Sequence, residues 1–150
     1  LVELKGNYRN YDFYPVQPIP PTPTSTPVIL GGVEGHWIDV DLSEQMLYAY
    51  DGTELVASFL VSTGVRDYPT ERGLYRIQTK LLFSDMTGTD YFLPDVPYAM
   101  YYAKGFSIHG TYWHHNFGTP MSHGCINMDT DEAEWLYNWS PLGTLINIHR

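Results

Sequence analysis

From residue 35 onward, apolar and polar residues alternate along short segments that turn residues separate. The segments read, in chain order, HWIDVDL, QMLYAY, ELVASFLVSTG, GLYRIQTKLLF, GFSIHG and TLINIHR. A period of two residues is typical of strands with one buried face. The dipeptide Asp51-Gly52 favours a tight hairpin between the second and third segments. The pattern therefore predicts a mainly β domain that begins with a meander.

Helix-breaking residues recur through the middle of the chain and exclude a long helix there. They are Pro69, Gly88, Pro94, Pro97 and Gly105. In the segment GFSIHG, the alternation places Phe106 and Ile108 on one face of a short strand and Ser107 and His109 on the other.

One segment, DTDEAEWLYNW at 129–139, has the features of a helix. Asp129 with Glu132 three positions later resembles a capping box, and acidic residues crowd the first turn. Ser140-Pro141 marks the end. We expect this helix to pack between the Cys125 loop and the last strand. The residues expected on its buried face are Trp135, Leu136 and Trp139.

The N-terminal part has a different composition from the rest of the chain. Residues 14–27 read YPVQPIPPTPTSTP, which favours extended polyproline conformation. We expect residues 1–27 to form a Pro/Thr-rich tail or linker and residues 28–150 to form the folded domain. The aromatic residues of NYRNYDFY leave open the alternative that this segment docks onto the domain.

Length and charge limit the classes of function. A chain of 150 residues suits one domain. Its net charge of −9, with only 8 Lys and Arg residues, argues against nucleic-acid binding. The chain has no apolar run of the roughly 20 residues that cross a bilayer, and its first residues do not resemble a signal peptide. We therefore expect no transmembrane segment in this chain.

The only cysteine, Cys125, lies in the heptapeptide SHGCINM, near four of the six histidines. A lone cysteine is often a buried structural residue. Zinc binding is a second interpretation, but the paired ligand spacings of zinc sites are absent. Nucleophilic catalysis is the third, and it requires a base and oxyanion donors. The four histidines are His109, His114, His115 and His123.

The sequence offers components for the third interpretation. Gly124 allows the backbone N–H groups of His123, Gly124 and Cys125 to converge on one oxyanion. His109 lies 125 − 109 = 16 positions upstream, enough for a loop to return the chain to the end of its strand. The residues alone leave all three interpretations open.

At this point the residues resemble a known family. IHG followed by SHGCIN, together with the upstream segment IDVDLSEQMLYAYDGTELVASFLVSTG, is similar to the L,D-transpeptidase catalytic domain, also called the YkuD-like domain, of bacterial cell-wall enzymes. The resemblance spans residues 35–150. It implies an L,D-transpeptidase-like β-sandwich of mixed sheets with one or two short helices.

The resemblance also implies roles for individual residues. Cys125 matches the nucleophile and His109 its general base, while the Gly110 carbonyl would orient the imidazole. His123 matches a supporting position of the pocket, and Gly124 belongs to the oxyanion segment.

Further residues match positions where family members contact the donor peptide. These substrate-binding residues are Tyr91, Lys104, Gly105 and Asn127. Tyr98 and Met100 match an apolar wall, although ordinary packing explains Tyr98 equally well. His114 and His115 match no family motif, and we expect them to be solvent-exposed or at the substrate rim.

The implied activity is peptidoglycan transpeptidation. The thiolate would attack the bond between a diamino acid and D-alanine in a tetrapeptide stem, form a thioester and transfer the acyl group to an amine, giving a 3→3 cross-link or protein attachment. The resemblance implies no metal or cofactor, acylation by carbapenem inhibitors, and an extracytoplasmic location in the cell envelope. The alternatives are an L,D-carboxypeptidase, a non-catalytic cell-wall-binding module of the same fold, and a metal-binding protein using His109, His123 and Cys125.

Overall fold

The computed structural model describes residues 33–150, which form nine strands and one helix. The tail predicted for residues 1–27 and the domain boundary at residue 28 lie outside the described residues. The strands are β1 His36–Asp41, β2 Met46–Asp51, β3 Glu54–Ser62, β4 Gly73–Arg76, β5 Thr79–Thr87, β6 Phe92–Ala103, β7 Phe106–Gly110, β8 Ile126–Met128 and β9 Leu145–His149. The helix, α1, is Thr130–Trp139.

The strands hydrogen-bond in the order β4-β9-β1-β2-β3-β8-β7-β6-β5. The pairs β1·β9 and β7·β8 are parallel and the others antiparallel, so the sheet is mixed. One hydrophobic cluster joins the two halves, since it contains Ile38 of β1 and Ile108 of β7 together with Leu136 of α1. The sheet therefore curls around a shared core. The predicted mainly β, mixed-sheet fold with a short helix is confirmed.

The first strand differs from the predicted pattern of one buried and one open face. Residues 37–41 are all buried, including the acidic Asp39. Its carboxylate accepts hydrogen bonds from Nδ2 of Asn147 and Nε2 of His149, both at 2.8 Å. Burial raises the pKa of Asp39, while the bonds from His149 and Asn147 oppose that rise. Asp39, a polar position of the alternation, thus lies inside the protein because β9 supplies donors to it.

The alternation of the segment GLYRIQTKLLF suggested a single strand, but the segment forms two. It divides at Ile77 and Gln78 into β4 and β5, which lie at opposite ends of the strand order. The Ile77 N–H donates to the Thr144 carbonyl, while the next N–H, of Gln78, donates to the Tyr101 carbonyl. Two consecutive N–H groups thus bind different halves of the sheet, and the buried Ile77 side chain anchors the crossing in the core.

The sequence did not predict β6, which holds two prolines and pairs on both sides. Pro94 and Pro97 lack the N–H groups that a regular ladder requires. Register shifts interrupt both pairings of the strand, and Asp95 and Tyr98 have φ values of 50° and 53°. These irregularities accommodate the prolines inside a sheet. The expectation that no helix forms here is confirmed.

The helix has the predicted place, with Asp129 as N-cap accepting a hydrogen bond from the Asp131 N–H. Its predicted surroundings are wrong in two respects. The helix packs on β6 and β7 rather than beside β9. Of the predicted buried face, Leu136 is buried and Trp139 packs partly against the core, whereas Trp135 is 37% exposed; Thr130 and Ala133 are buried as well. The small side chain of Ala133 permits close packing on the sheet, and Trp135 instead stacks along the surface on Trp139.

Lys80 of β5 caps the other end of the helix. Its Nζ donates to the carbonyls of Tyr137 (2.5 Å) and Ser140 (2.7 Å), and it lies 4.3 Å from the centre of the Tyr137 ring. Lys80→Met should lower the free energy of unfolding by about 1–2 kcal/mol, because two terminal carbonyls lose a charged donor. Urea denaturation checks this, with the exposed Lys104→Met as control. Equal stability of the two variants would contradict the capping role.

Candidate active site

Strands β7 and β8 place the histidine and cysteine segments side by side. They run parallel, with His109 opposite Asn127. The same register, extended by one residue pair, sets Ser107 beside Cys125. Because alternate strand residues point to the same face, these four side chains occupy one side of the two strands. The sheet therefore brings together two segments that lie 16 positions apart in sequence.

A cavity of about 280 Å³ opens over this part of the sheet. Cys125 and His109 both line it, and so do apolar side chains, among them Met86, Leu93 and Trp113. A concave, largely apolar pocket with a few polar groups is typical of a ligand-binding site.

Cys125 contacts two oxygen atoms of β7 and the turn before it. Its Sγ lies 3.8 Å from the Gly105 carbonyl oxygen and 3.9 Å from Oγ of Ser107. Burial raises the pKa of the thiol, and hydrogen bonding from the backbone N–H and hydroxyl of Ser107 partly opposes this rise. Burial thus favours the neutral thiol over the thiolate.

His109 is 2% exposed and is held by the backbone. Its Nδ1 lies 2.8 Å from the Gly110 carbonyl oxygen. Burial lowers the pKa of His109 to about 4, although the Gly110 carbonyl favours the charged ring and so limits the fall. A neutral imidazole that donates from Nδ1 keeps its lone pair on Nε2, which is the state required of a proton acceptor.

Hydrogen bonds fix the loop that carries Cys125. The Ser122 hydroxyl donates to the Cys125 carbonyl and accepts from the Gly124 N–H at 3.1 Å. The Gly124 carbonyl in turn accepts from Oγ1 of Thr70 at 2.8 Å. The Gly124 N–H, one of the three groups predicted to converge on an oxyanion, thus has a partner inside the loop.

Gly124 has a φ of +121°, in the region that favours glycine. A Cβ at this position would lie 2.6 Å from Cε1 of Phe106. The conformation of the loop therefore depends on the absence of a side chain at Gly124.

His123 lies between two tyrosine rings at the mouth of the cavity. The ring centroids of Tyr68 and Tyr91 lie 4.8 and 4.7 Å from that of His123, and Nε2 of His123 lies 3.7 Å from Oδ1 of Asp90. Its side chain is 39% exposed. Both the aromatic contacts and the exposure place His123 in the wall of the cavity.

A family model described as the L,D-transpeptidase catalytic domain, YkuD, matches residues 35–148. The chain belongs to the L,D-transpeptidase family. The matched residues include both the His109 strand and the Cys125 loop, and the resemblance found in the sequence is confirmed.

Similar proteins are also named L,D-transpeptidases. The "Putative L,D-transpeptidase YciB" of Bacillus subtilis is 24% identical over 131 residues, which cover 75% of this chain and 64% of the relative. An L,D-transpeptidase structure from Enterococcus faecium has a TM-score of 0.73 at 25% identity and covers 78% of this chain and 50% of that one. One from Mycobacterium tuberculosis has a TM-score of 0.73 at 23% identity, with coverages of 77% and 58%. The chain thus spans between half and just under two thirds of these relatives.

The predicted substrate-binding residues of this L,D-transpeptidase domain do not all lie at the cavity. Tyr91, Gly105 and Asn127 line it. Lys104 is exposed in the turn between β6 and β7 and does not line the cavity. Gly105 has a φ of +80°, and this turn directs its carbonyl toward Cys125.

Two expectations about neighbouring residues are only partly met. His114 and His115 are half-buried rather than open to solvent. His114 Nε2 lies 2.9 Å from Nδ2 of Asn127, and burial lowers the pKa of His114 to about 4. Tyr98 and Met100 do not form the apolar wall that was predicted for them. Met100 is fully buried in the core, and the Tyr98 hydroxyl donates to the Glu134 carboxylate.

Sequence reasoning did not identify three residues that shape the site. Ser107 contacts the sulfur, Thr70 holds the loop, and the ring of Trp113 lies 5.7 Å from that of His109. Ser107 had a detectable signal, since alternation placed it on the same face as His109. The contact of Thr70 with Gly124 could not be predicted, because the two residues lie 54 positions apart.

Within residues 33–150, no group of three or more His, Cys, Asp or Glu side chains is arranged to hold a metal ion, so His109, His123 and Cys125 do not form such a cluster. The described helix is too short to span a bilayer.

Proposed function

We propose that this domain is a peptidoglycan L,D-transpeptidase in which Cys125 is the nucleophile and His109 the general base. The observation that carries the proposal is that one cavity is lined by the only cysteine and by a neutral histidine anchored through Nδ1. A base oriented by a hydrogen bond beside a nucleophile is the arrangement that acyl transfer requires.

In the first step, Sγ of Cys125 attacks the carbonyl carbon that joins the diamino acid to the terminal D-alanine. The thiol proton passes to Nε2 of His109 and then to the departing amine. The carbon–nitrogen bond breaks, D-alanine leaves, and a thioester remains on Cys125. The raised thiol pKa and the lowered histidine pKa both favour the neutral pair before attack.

In the second step, an amine of another stem attacks the thioester carbonyl. His109 accepts the proton of this amine and returns it to the sulfur as the carbon–sulfur bond breaks. The product is a cross-link between two stems, or an attached protein where a lysine supplies the amine. Attack by water instead makes the same site an L,D-carboxypeptidase.

The oxyanion formed in both steps needs backbone donors. We assign this role to the N–H groups of Cys125 and His123, because the Gly124 N–H already donates to Ser122. Gly124 then contributes the loop conformation, and Ser122 and Thr70 hold that conformation in place.

Similar proteins whose structures contain inhibitors support a reactive nucleophile in this site. A neighbour that is 26% identical is described as an avibactam carbamoyl enzyme, and others as complexes with imipenem or a faropenem-derived adduct. We propose that carbapenems acylate Cys125 in the same manner. Action on peptidoglycan places the domain outside the cytoplasmic membrane, in the cell envelope.

Incubation of the protein with a disaccharide-tetrapeptide, followed by mass spectrometry, tests the function. We expect release of D-alanine together with a dimer one D-alanine lighter than two substrates. Release of D-alanine with the tripeptide alone would assign a carboxypeptidase. Substrate binding without either product would assign a wall-binding module and overturn the proposal.

The pH dependence of D-alanine release should reflect the burial of His109. Since the base form persists down to its pKa of about 4, the rate should stay level as pH falls from about 7 to 5 and then drop about tenfold per unit below about 4. Circular dichroism at each pH confirms that the protein is folded. A half-maximal rate near pH 6.5, the value of an ordinary histidine, would contradict the buried base.

A further inference from the structure

The Ser107 hydroxyl contacts the Cys125 thiol but is not itself open to the cavity. Ser107 is fully buried and does not line the cavity, whereas Cys125 does. A substrate in the cavity therefore meets the sulfur but not this hydroxyl. The hydroxyl therefore acts on the sulfur rather than on a bound substrate.

The sulfur is the hydrogen-bond partner of this hydroxyl. A buried hydroxyl requires an acceptor, and Oγ of Ser107 lies 3.9 Å from Sγ of Cys125 with donor geometry. No other acceptor bonds to it among residues 33–150. The bond is long in the resting protein, and such contacts shorten when charge develops on the acceptor.

The second contact of the sulfur, with the Gly105 carbonyl, disfavours negative charge on the sulfur. The Gly105 carbonyl oxygen lies 3.8 Å from Sγ and accepts the thiol proton. A neutral thiol therefore has a partner both as donor and as acceptor, since it donates to the Gly105 carbonyl and accepts from the Ser107 hydroxyl. Once the proton leaves, the carbonyl dipole of Gly105 repels the negative sulfur, and the Ser107 hydroxyl is the side-chain donor that remains.

We propose that Ser107 activates Cys125 by donating a hydrogen bond from its hydroxyl to the sulfur as negative charge develops there. The hydroxyl proton stays on Ser107, and the thiol proton moves to Nε2 of His109. The inference rests on the proposed nucleophile and adds a residue that the family motifs do not include. The opposing effects of burial and of Ser107 on the thiol pKa agree with it.

The rate of alkylation by iodoacetamide, measured from about pH 7 to 11, tests this role. Cys125 is the only cysteine, so the reaction reports on one thiol. Ser107→Ala should raise the half-maximal pH by about 0.5–1 unit and slow alkylation about three- to tenfold below it. Ser107→Thr keeps the hydroxyl and should restore the profile. Ser58→Ala, at a buried position of β3 away from the cavity, should leave it unchanged.

The outcomes test the activating role of Ser107 independently of the proposed transpeptidase function. Superimposable profiles of the wild-type protein and Ser107→Ala would overturn it. A shift that Ser107→Thr does not reverse, in variants that melt at the wild-type temperature, would assign the effect to packing and overturn it as well. Alkylation needs no peptidoglycan substrate. Failure of the tetrapeptide reaction in the wild-type protein would therefore count against the transpeptidase and leave the alkylation result intact.

Discussion

Cys125→Ala is expected to abolish covalent modification by imipenem and to reduce D-alanine release by at least about 10⁴-fold. The variant keeps the cavity and His109 but removes the atom that attacks the carbonyl. Because the chain has no second cysteine, no other thiol replaces it. Intact-mass spectrometry after exposure to imipenem measures the first effect directly, as the presence or absence of one added inhibitor.

Two companion variants make this result specific. Cys125→Ser keeps nearly the same volume with a much weaker nucleophile, and it should also remain unmodified. Ser58→Ala should be acylated like the wild-type protein. Since Sγ makes only long contacts, Cys125→Ala should melt within a few degrees of the wild-type temperature. An imipenem adduct on folded Cys125→Ala would remove Cys125 from the mechanism.

Gly124→Val is expected to lower acylation and turnover by a hundredfold or more. A valine side chain disfavours the φ of +121°, and its Cβ would lie 2.6 Å from the ring of Phe106. The loop must shift to relieve both, which displaces the neighbouring N–H groups and the sulfur. Initial rates of D-alanine release and of imipenem acylation measure the loss.

Gly143→Val is the matched control for backbone strain. Gly143 has a φ of +87°, and a Cβ there meets nothing within 4 Å. It lies in the turn before β9, away from the cavity. This variant should lose stability but keep its activity. Near-normal acylation by a folded Gly124→Val protein would show that the loop conformation is unnecessary for catalysis.

The local patterns of the sequence predicted those elements whose stability depends on near neighbours. The hairpin at Asp51-Gly52 and the helix capped by Asp129 are of this kind, and both are present. The division of GLYRIQTKLLF escaped prediction because alternation continues through it. What divides the segment is a pair of backbone hydrogen bonds to Thr144 and Tyr101. Neither partner is near in sequence.

The candidate site, too, could be predicted from the sequence only in part. Cys125 and His109 could be proposed from the motif and its spacing, and the structure places both at one cavity. The roles assigned to them remain proposals. The exposure of Lys104, the partnership of His114 with Asn127 and the engaged Gly124 N–H depend on packing between distant segments. A motif specifies which residues are present, but it does not specify which hydrogen bonds they have already made.

The position of β9 also governs when the chain can fold. This last strand lies between β4 and β1, and it pairs Leu145 with Trp37 across 145 − 37 = 108 positions. Until residues 145–149 have been synthesised, the outer edge of β1 has no partner and the core lacks Ile146 and Ile148. Folding must therefore follow completion of the domain, and the large sequence separation makes it slow. We therefore expect a nascent chain of this kind to stay unfolded during synthesis.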